Sequence, residues 1–455
     1  MPQTDPGALQ ELREVEAELD TRWPETKLEP STERIAALTD LLGDPQRAYP
    51  AIHITGTNGK TSTSRMIDAL LTRIGLRTGR YTSPHLQLAT ERISLDGAPI
   101  DPRRYVEVYR DVQPYVAMVD ARSEVPMSKF EVLTGMAYAA FADAPVDVAV
   151  VEVGLGGTWD ATNVIDARIA VVCPIDLDHT EFLGTELTGI AAEKAGIIKA
   201  GGVAILAEQR PEVAEVLIAR CAEVGASVAR QGLEFGVLDS EVAVGGQLLK
   251  LQGLGGAYDE IFLPLHGAHQ AANAALALAA VEAFFGAGGE RQLDIDAVRE
   301  AFATVTTPGR LERVRSAPSV FVDAAHNPHG ARALAEALAG QFAFRRLVGV
   351  VGVMADKDAE GILTALEPVL TEVVLTSNGS PRAMDADALG AVAREIFGED
   401  RIVVEPRLDD AVETAVQLAE ETEDPDEPVS GGGVVVTGSV VTAGAARALF
   451  GKEPA

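Results

Sequence analysis

The 455-residue sequence has few cysteines, and few cations relative to its acidic residues. Its two cysteines, Cys173 and Cys221, cannot build a disulfide framework, and such low use of cysteine is typical of a reducing cytosol. Lysine and arginine number 38 against 68 aspartates and glutamates, which gives a net charge of −30. A chain this acidic is a poor general binder of nucleic acid or anionic membrane, so we expect neither as a partner.

Long apolar runs and an N-terminal targeting segment are also lacking. The sustained apolar stretch at residues 271–285 carries Asn273 and Glu282 and is too short to cross a bilayer. Residues 1–20 are polar and acidic, unlike a signal peptide. Hydrophobic residues nevertheless make up 47% of the chain, enough for a sizeable core. We therefore expect a soluble cytoplasmic protein of two or three domains.

Apolar runs alternate with helical patterns through most of the chain. Strands are predicted at residues 51–54, 146–153, 168–175 and 203–206, and helices at 8–42, 61–74, 187–199 and 211–223. This βα alternation predicts a mainly parallel sheet with helices on both faces. Residues 226–265 instead predict antiparallel hairpins, and a long alanine-rich helix follows at 268–285.

A second βα series begins after residue 307. Its predicted strands lie at residues 320–322, 346–353, 372–376, 401–404 and 434–437. We therefore predict a first domain at residues 1–307 and a smaller second domain at 308–455. The acidic, glycine-tailed segment 420–433 is interpreted as a solvated surface insertion.

The strongest motif is GTNGKT at residues 56–61, which lies between a predicted strand and a predicted helix. Glycines let backbone N–H groups converge on phosphate oxygens, and the start of a helix adds positive potential. Lys60 would reach the β- and γ-phosphates, and Thr61 can bind Mg²⁺. The general phosphate-loop pattern is not fully met, because Ile54 occupies a position where that pattern has glycine. A glycine turn with an incidental lysine is the alternative reading.

Two further clusters follow predicted strands. Glu152 ends a buried strand, where an unpaired carboxylate is expensive, so Mg²⁺ or a salt-bridge partner is expected. His179 follows the next strand and is either a metal ligand or a hydrogen-bonded loop histidine. Lys194 and the preceding Glu193 have the pattern of a solvated helical face, which is the usual reading of such a pair without other context.

The remaining candidates lie in the second half of the chain. His269 and Asn273 are spaced i, i+4, which places them on one face of the predicted helix. Arg310 follows the glycine turn at the domain boundary. Asp323 and His326 follow a predicted strand, at the end where ligands of doubly wound sheets bind.

With these motifs assembled, the chain closely resembles the folylpolyglutamate synthase/dihydrofolate synthase family of the Mur ligase superfamily, over about residues 30–450. The motifs that carry the resemblance are GTNGKT at 56–61, TSPH at 82–85, EVGLGG at 152–157, Asp178 with His179, EKAGIIK at 193–199, PGR at 308–310 and DAAHNP at 323–328. The resemblance implies an α/β fold, with a P-loop-type, mainly parallel ATPase domain and a smaller Rossmann-like C-terminal domain on the glutamate side.

The resemblance also implies roles by matched position. ATP contacts are implied for Thr57, Asn58, Gly59, Lys60, Thr61, Asn273, Arg310, Asp323 and His326. Mg²⁺ ligands, at two sites, are implied for Thr61, Ser83, Glu152, His179 and Lys194, the last as an N-carboxylysine. A dihydropteroate-binding set is implied at Ser128, Lys129, Phe130, Glu131, Trp159, Asp160 and Ala161. Catalytic roles are implied for Lys60, Glu152, His179 and Lys194.

The activity implied is an ATP-dependent amide ligase. A pteroate or folyl carboxylate attacks the γ-phosphate of ATP, and L-glutamate then displaces phosphate from the acyl phosphate. The expected partners are these small molecules, and the expected state is a monomer. Three alternatives stay open: a folylpolyglutamate synthase without the dihydropteroate activity, another Mur-type ligase, and a nucleotide switch that makes no amide product.

Overall fold

The first part of the chain folds around an eight-stranded sheet. The computed structural model describes residues 5–23, 29–286, 291–421 and 431–454. The strands of this sheet are β1 (Ala51–Thr55), β2 (Thr78–Tyr81), β3 (Ile93–Leu95), β4 (Ala98–Pro99), β5 (Val148–Glu152), β6 (Ile169–Val172), β7 (Val203–Leu206) and β8 (Ser227–Arg230). Their order is β4-β3-β2-β5-β1-β6-β7-β8. All neighbouring pairs are parallel except β2 with β3 and β3 with β4, so the predicted mainly parallel sheet is confirmed.

Helices cover both faces of this sheet because its central strands are apolar on both sides. They are α1 (Pro6–Asp20), α2 (Glu33–Leu41), α3 (Lys60–Ile74), α4 (Pro102–Asp120), α5 (Lys129–Asp143), α6 (Thr180–Leu183), α7 (Leu187–Lys194), α8 (Pro211–Val224), α9 (Ala268–Phe284) and α10 (Ile295–Ala303). Along β5, Val148 and Val150 pack in the core that contains α3 and α9. Ala149 and Val151 pack in the opposite core with α1, α4 and α5. Side chains of a strand alternate between faces, so this one strand stabilises both layers.

The predicted antiparallel hairpins are also confirmed. Strands β9 (Gly236–Ala243), β10 (Gly246–Gln252) and β11 (Ala257–Leu263) form a separate three-stranded sheet. Leu249 and Leu251 of β10 and Ile261 of β11 share a core with the alanine-rich helix α9. Because α9 has many alanine side chains, it fits between the two sheets. It also places Asn273 beside the start of α3.

The last part of the chain folds around a six-stranded sheet with the order β12-β13-β17-β14-β15-β16. Its strands are β12 (Glu312–Ser316), β13 (Ser319–Val322), β14 (Arg346–Val351), β15 (Glu372–Ser377), β16 (Ile402–Arg407) and β17 (Gly432–Thr437). The helices are α11 (Pro328–Gln341), α12 (Ala359–Leu366), α13 (Ala386–Phe397), α14 (Leu408–Glu420) and α15 (Val440–Leu449). All strand pairs are parallel except β12 with β13.

The connection between α10 and β12 contains the predicted domain boundary near residue 307. The acidic segment 420–433 lies outside the described residues except at its two ends, so its interpretation as a surface insertion stays a prediction. Among the described residues, no helix is long and apolar enough to cross a membrane.

The order of the strands determines where a ligand can bind. β1 lies between β5 and β6, so the loops that follow these three parallel strands emerge at the same edge of the sheet. That edge holds residues 56–61, 153–157 and 173–179. In open α/β sheets, ligands bind in the crevice at such a position.

Candidate active site

The loop after β1 turns the chain directly into α3. Gly56 has a φ of +145° and Gly59 a φ of +88°. A Cβ atom on Gly56 would lie 2.6 Å from Cβ of Cys173, and one on Gly59 would lie 2.8 Å from Oδ1 of Asn273. Both positions therefore require glycine. The free N–H groups at the start of the 15-residue helix α3 then give the loop an anion-binding end.

Lys60 folds back over this loop. Its Nζ donates to the carbonyl oxygen of Gly56 at 3.0 Å and to that of Thr57 at 3.2 Å. The ammonium group thus lies above the loop that it follows in sequence. An incidental, solvent-directed lysine would not make these two bonds, so the geometry favours the phosphate-loop reading.

Glu152 at the end of β5 faces the start of α3. The Thr61 hydroxyl lies 3.0 Å from Oε1 and 3.1 Å from Oε2 of Glu152. Glu152 is 1% exposed, and burial raises the pKa of its carboxyl to about 7, although the charge of Lys60 and the Thr61 hydrogen bond favour the ionised form. In the described part of the chain its hydrogen-bond partner is a hydroxyl, so a buried carboxylate is left able to accept a cation.

Lys194 at the end of α7 is buried, which contradicts the reading of a solvated helical face. The residue is 3% exposed, and its Nζ donates to the carbonyl oxygen of Gly56 at 3.0 Å. Burial lowers the pKa of this amine to about 7, and the nearby charge of Lys60 acts in the same direction. The amine therefore has a substantial neutral, nucleophilic fraction at neutral pH.

Asp178 and His179 lie in the loop after β6. Burial alone would raise the pKa of Asp178, but its hydrogen bond with His326 and the charges of His179 and Lys357 hold the pKa well below its usual range. His179 has a left-handed φ of +51°. Burial lowers the pKa of His179 to about 4, although Asp178 favours its charged form, so the imidazole is neutral at pH 7.

Residues of the second domain, from its loops and the start of α11, approach this loop directly. Lys357 Nζ lies 2.6 Å from Oδ1 of Asp178, and Asn327 Nδ2 donates to Oδ2 of Asp178 at 2.9 Å. His326 Nε2 lies 3.5 Å from the same Oδ2. Asn58 Nδ2 lies 2.8 Å from Nδ1 of His329. The phosphate loop and the loop after β6 are therefore both hydrogen-bonded to the start of α11.

The carboxylate of Asp323 accepts hydrogen bonds from backbone N–H groups. Its Oδ2 accepts a hydrogen bond from Leu311 N at 2.8 Å, and its Oδ1 accepts one from Ala325 N, also at 2.8 Å. These bonds join the turn that carries Arg310 to the end of β13. Asp323 and Arg310 both line the cleft described next.

One cleft brings the nucleotide and metal candidates together. It contains about 1400 Å³ of empty space, part of it open to solvent. Its lining includes Thr57, Asn58, Gly59, Lys60, Thr61, Ser83, Glu152, His179, Lys194, Asn273, Arg310, Asp323 and His326. Every residue that the sequence predicts to contact ATP or Mg²⁺ therefore faces the same space.

The predicted dihydropteroate set does not line this cleft. Ser128 and Glu131 form a capping box at the start of α5, and Glu131 also accepts a hydrogen bond from Arg34 Nε at 2.9 Å. Lys129 Nζ lies 3.0 Å from Oε2 of Glu16 and 2.7 Å from Oδ1 of Asp20, so it is tied to α1.

The other members of that set lie behind the cleft wall formed by residues 153–155. A Cβ atom on Gly154 would lie 2.5 Å from Cζ of Phe130, so the ring packs directly on this glycine. Asp160 Oδ2 accepts from Leu155 N at 2.9 Å, and the neighbouring Ala161 is buried. Trp159 N donates to Glu193 Oε1 at 3.3 Å.

Sequence reasoning missed several residues of the cleft and its border. His329 was not predicted. Asn327 lies in the DAAHNP motif but was given no role, although an asparagine before Pro328 has the pattern of a helix start, and Asn327 does cap α11 through Gly330 N. Asp178 was quoted within a motif without a role. Lys357 follows β14 in a loop whose position no local pattern predicts.

The donor atoms in the cleft fit one class of metal ion. Among residues that the structure describes, no three histidine, cysteine, aspartate or glutamate side chains form a ready-made metal cluster. Mg²⁺, however, is usually held by one or two carboxylates with waters and substrate phosphates. Glu152, with the hydroxyls of Thr61 and Ser83 in the same cleft, fits that pattern.

Two Mur ligase family models match the chain. The model described as "Mur ligase middle domain" matches residues 54–281, and the one described as "Mur ligase, glutamate ligase domain" matches residues 309–440.

Among known proteins, the chain is similar to the dihydrofolate synthase/folylpolyglutamate synthase of Mycobacterium tuberculosis. The two are 59% identical over 466 residues, which covers 99% of this chain and 96% of that protein. The structure is similar to that of Mycobacterium tuberculosis folylpolyglutamate synthase complexed with ADP, with a TM-score of 0.94 and coverage of 98% of this chain and 100% of that one. It is also similar to Escherichia coli FolC in complex with DHPP and ADP, at 29% identity, a TM-score of 0.83 and 99% coverage of both chains.

Proposed function

The chain belongs to the dihydrofolate synthase/folylpolyglutamate synthase family of Mur ligases, and from this premise we propose that it is an ATP-dependent ligase that adds L-glutamate to dihydropteroate and to folyl polyglutamates. One observation carries the proposal: the phosphate loop, the buried Glu152 and the buried Lys194 face a single cleft. Residues 1–307 would bind the nucleotide, and residues 308–455 would supply the glutamate side.

ATP would bind with its phosphates at the start of α3. Residues 57–61 and Lys60 would contact the phosphate oxygens, and Asn273 would approach from α9. Arg310, Asp323 and His326 would contact the nucleotide from the second domain. The ADP complex of the Mycobacterium tuberculosis relative supports this assignment.

The metal sites would be built from the residues around Glu152. Thr61, Ser83 and Glu152 would hold one Mg²⁺ with the phosphates, and Glu152, His179 and a modified Lys194 would hold a second. When bound, Mg²⁺ supplies charge neutralisation at phosphoryl and carbonyl oxygens. The raised pKa of Glu152 supports this role, because a cation would stabilise the ionised carboxylate that burial disfavours.

Lys194 would act as an N-carboxylysine. A buried amine with a pKa near 7 is a nucleophile toward carbon dioxide at neutral pH, whereas an ordinary lysine is almost fully protonated. The product carbamate replaces a cation with an anionic oxygen donor. Glu152 and the carbamate would then be two buried anions, and the Mg²⁺ that they would hold would let an acidic chain bind anionic substrates.

The reaction would proceed in two steps. The substrate carboxylate attacks the γ-phosphorus of ATP, the β–γ bridge breaks, and ADP leaves with the acyl phosphate bound. The glutamate amine then attacks the acyl carbon, the C–O bond to phosphate breaks, and the amine loses a proton as the amide forms. Lys60 and Arg310 would hold the phosphoryl oxygens, so that catalysis is mainly positioning and charge neutralisation.

The pteridine side of the substrate would lie beyond the wall formed by residues 153–155. Phe130 packs on that wall from behind, and Asp160 holds its backbone. Ser128, Lys129 and Glu131 lie next to Phe130 at the start of α5, and Trp159 and Ala161 lie next to Asp160. These residues would therefore shape the site from the side opposite the phosphates.

Product analysis tests the function directly. The protein is incubated with ATP, Mg²⁺ and L-glutamate, and either dihydropteroate or a reduced monoglutamyl folate is supplied. Glutamylated products from both acceptors are expected, and product from the folate alone would identify a folylpolyglutamate synthase without the first activity. ATP binding without an amide product would overturn the ligase proposal, and product from uridine-nucleotide muropeptides would indicate another Mur-type ligase.

The protein's state in the cell follows as part of the same proposal. Its acceptors and co-substrates are small cytoplasmic molecules, and its low cysteine content suits a reducing compartment. We therefore place it in the cytoplasm as a monomer. Sedimentation at micromolar concentration checks the monomer.

A further inference from the structure

The central strand β1 has a polar face inside the protein. Ile52 and Ile54 pack in the apolar core with α3 and α9, whereas His53 and Thr55 point to the opposite face of the sheet, and all four residues are fully buried. Polar side chains in such a position are costly unless they are hydrogen-bonded. The proposed function uses the loop after β1 and gives this polar face no role.

Both polar side chains of β1 bind the segment that forms the cleft wall. Thr55 Oγ1 donates to the carbonyl oxygen of Gly156 at 2.8 Å, directly after the wall residues 153–155. His53 Nε2 lies 2.8 Å from Oγ1 of Thr162, further along the same segment. The strand that ends in the phosphate loop is therefore also linked to the wall on the other side of the cleft residues.

Asp160 connects Thr162 to the wall itself. Its Oδ1 accepts hydrogen bonds from Thr162 N, at 2.9 Å, and from the Thr162 hydroxyl, and its Oδ2 accepts one from Leu155 N at 2.9 Å. Burial raises the pKa of this carboxyl, and these hydrogen bonds act against that effect. A chain of three side chains, those of His53, Thr162 and Asp160, thus ends at the backbone of the cleft wall.

The hydrogen bonds of this chain run in one direction. Both oxygens of Asp160 accept backbone N–H groups, so the carboxylate is the acceptor and the single hydroxyl proton of Thr162 points to it. The Thr162 oxygen then accepts from His53 Nε2, which carries the proton of the ring. Burial lowers the pKa of His53 to about 3, so the ring is neutral. In the described part of the chain its Nδ1 has no hydrogen-bond partner, so the bond to Thr162 is what directs the ring.

We propose that His53 is a positioning residue for the acceptor substrate, and that it acts through Thr162 and Asp160 on the wall between the phosphate site and the pteridine side. The assignment rests on the proposed ligase function, in which the pteridine lies beyond this wall. Phe130 packs on Gly154, so a displaced wall would also displace that ring. His53 contacts no substrate in this scheme. Its effect should therefore appear in the binding of dihydropteroate or folate and not in the binding of ATP.

Steady-state kinetics of His53→Leu and His53→Gln test this role. Leucine occupies a similar volume without a hydrogen bond, whereas the glutamine amide can place a donor near the position of Nε2. With saturating ATP and L-glutamate, we expect His53→Leu to raise the KM for dihydropteroate and for a reduced monoglutamyl folate by about 5- to 10-fold, the size expected for one lost hydrogen bond. The KM for ATP should not change, and His53→Gln should raise the acceptor KM less than His53→Leu does.

A second variant breaks the same chain at Thr162. Thr162→Val should raise the acceptor KM by a similar factor. Adding His53→Leu to it should cost little more, because His53 acts through the hydroxyl that valine lacks. Independent, multiplicative increases would overturn the chain.

Thr78→Val is the matched control. Thr78 is fully buried on β2 of the same sheet, and its Oγ1 lies 3.1 Å from Oγ1 of Thr72, which is not part of the wall. This variant loses one buried hydrogen bond, as His53→Leu does, so thermal unfolding should show similar midpoints for the two. The acceptor KM of Thr78→Val should equal that of the wild type.

Two results would overturn the role of His53. One is an acceptor KM for His53→Leu equal to that of Thr78→Val. The other is a rise in the KM for ATP as large as the rise for the acceptor, because that would indicate a general distortion of β1 and the loop after it. A wild-type protein without glutamate-dependent ADP release would instead overturn the ligase function itself.

Discussion

Asn58 and Asn327 exchange two amide hydrogen bonds across the boundary between the two domains. Asn58 Nδ2 donates to Oδ1 of Asn327 at 3.1 Å, and Asn327 Nδ2 donates to Oδ1 of Asn58 at 3.2 Å. Asn58 belongs to the phosphate loop, and Asn327 caps α11. A nucleotide that orders the loop would therefore also bias the position of the second domain.

Asn327→Ser should slow turnover without destabilising the fold. Serine is as good a helix N-cap as asparagine, so α11 keeps its cap. The bonds to Asn58 and Asp178 are lost, and a small misplacement of reacting groups costs about 10- to 100-fold in rate. We expect kcat to fall by that factor, with the melting temperature nearly unchanged. ADP-release kinetics and thermal unfolding check the two expectations.

A double-mutant cycle with Asn58→Ser provides the control. Because the two amides bind each other, the double variant should be little worse than either single variant. Independent, multiplicative losses of kcat would show that the pair does not act as a unit.

Lys60→Ala should abolish glutamate-dependent ADP release. The Lys60 ammonium lies over the Gly56 and Thr57 carbonyls, where it would meet phosphate oxygens, and losing one preorganised donor of this kind costs at least about 100-fold in rate. Lys250→Ala is the control, since Lys250 pairs with Asp259 on the three-stranded sheet. Normal turnover of Lys60→Ala in a coupled ADP assay would contradict the phosphate-loop assignment.

Much of the fold was predictable because its strands are short apolar runs between helical segments. β7 begins and ends at the predicted residues, and β1 and β5 differ from prediction by one to three residues. Edge strand β12 was not predicted. Three of its five residues, ERVRS, are charged, so it lacks the apolar run by which the other strands were predicted.

The site was predictable to the extent that it is built from local motifs. Glu152 ends β5, and residues 56–61 and Asp178 follow the adjacent strands β1 and β6, so the positions of these residues follow from the fold. Lys357 contacts Asp178 from 179 residues away, and no spacing rule connects them. The burial of Lys194 was not predictable either, because one turn of helix looks the same in sequence whether it faces solvent or a phosphate loop.

Glu152→Gln should stabilise the metal-free protein at alkaline pH. The pKa of Glu152 rises from 4.5 in the unfolded chain to about 7 in the folded one, so this carboxyl favours folding below pH 4.5 and opposes it increasingly as pH rises to 7. At pH 8 the penalty amounts to about 3 kcal/mol, and glutamine avoids it. Urea unfolding in EDTA should show that the variant is more stable at pH 8. At pH 5 the free energies of unfolding of the two proteins should differ by less than about 1 kcal/mol.

The same variant should lose activity, because an amide is a poor Mg²⁺ ligand compared with a carboxylate. Adding Mg²⁺ with ADP should reverse the order of stability, since the ions stabilise only the wild type. Equal stability of the two proteins at pH 8 in EDTA would contradict the burial of an uncompensated carboxylate.

Lys194 should carry a carbamate whose amount increases with pH. Only the neutral amine reacts with carbon dioxide, and with a pKa of about 7 its neutral fraction rises from roughly 10% at pH 6 to roughly 90% at pH 8. Carbon-13 NMR with labelled bicarbonate should show one carbamate signal that Lys194→Ala removes. Lys199→Ala is the control, because Lys199 Nζ bonds the Asn163 carbonyl oxygen at 3.2 Å and does not line the cleft.

The Lys194→Ala variant should also lose turnover, and a short carboxylate such as acetate should restore part of it. Alanine leaves space beside the Gly56 carbonyl, in the cleft that Glu152 also lines, and a free carboxylate in that space would supply the oxygen donors that the carbamate provides. Rescue by acetate but not by methylammonium would show that an anion is needed at this position. Rescue by the amine alone would mean that Lys194 works as a cation, and an unmodified Lys194 in fully active enzyme would exclude the carbamate.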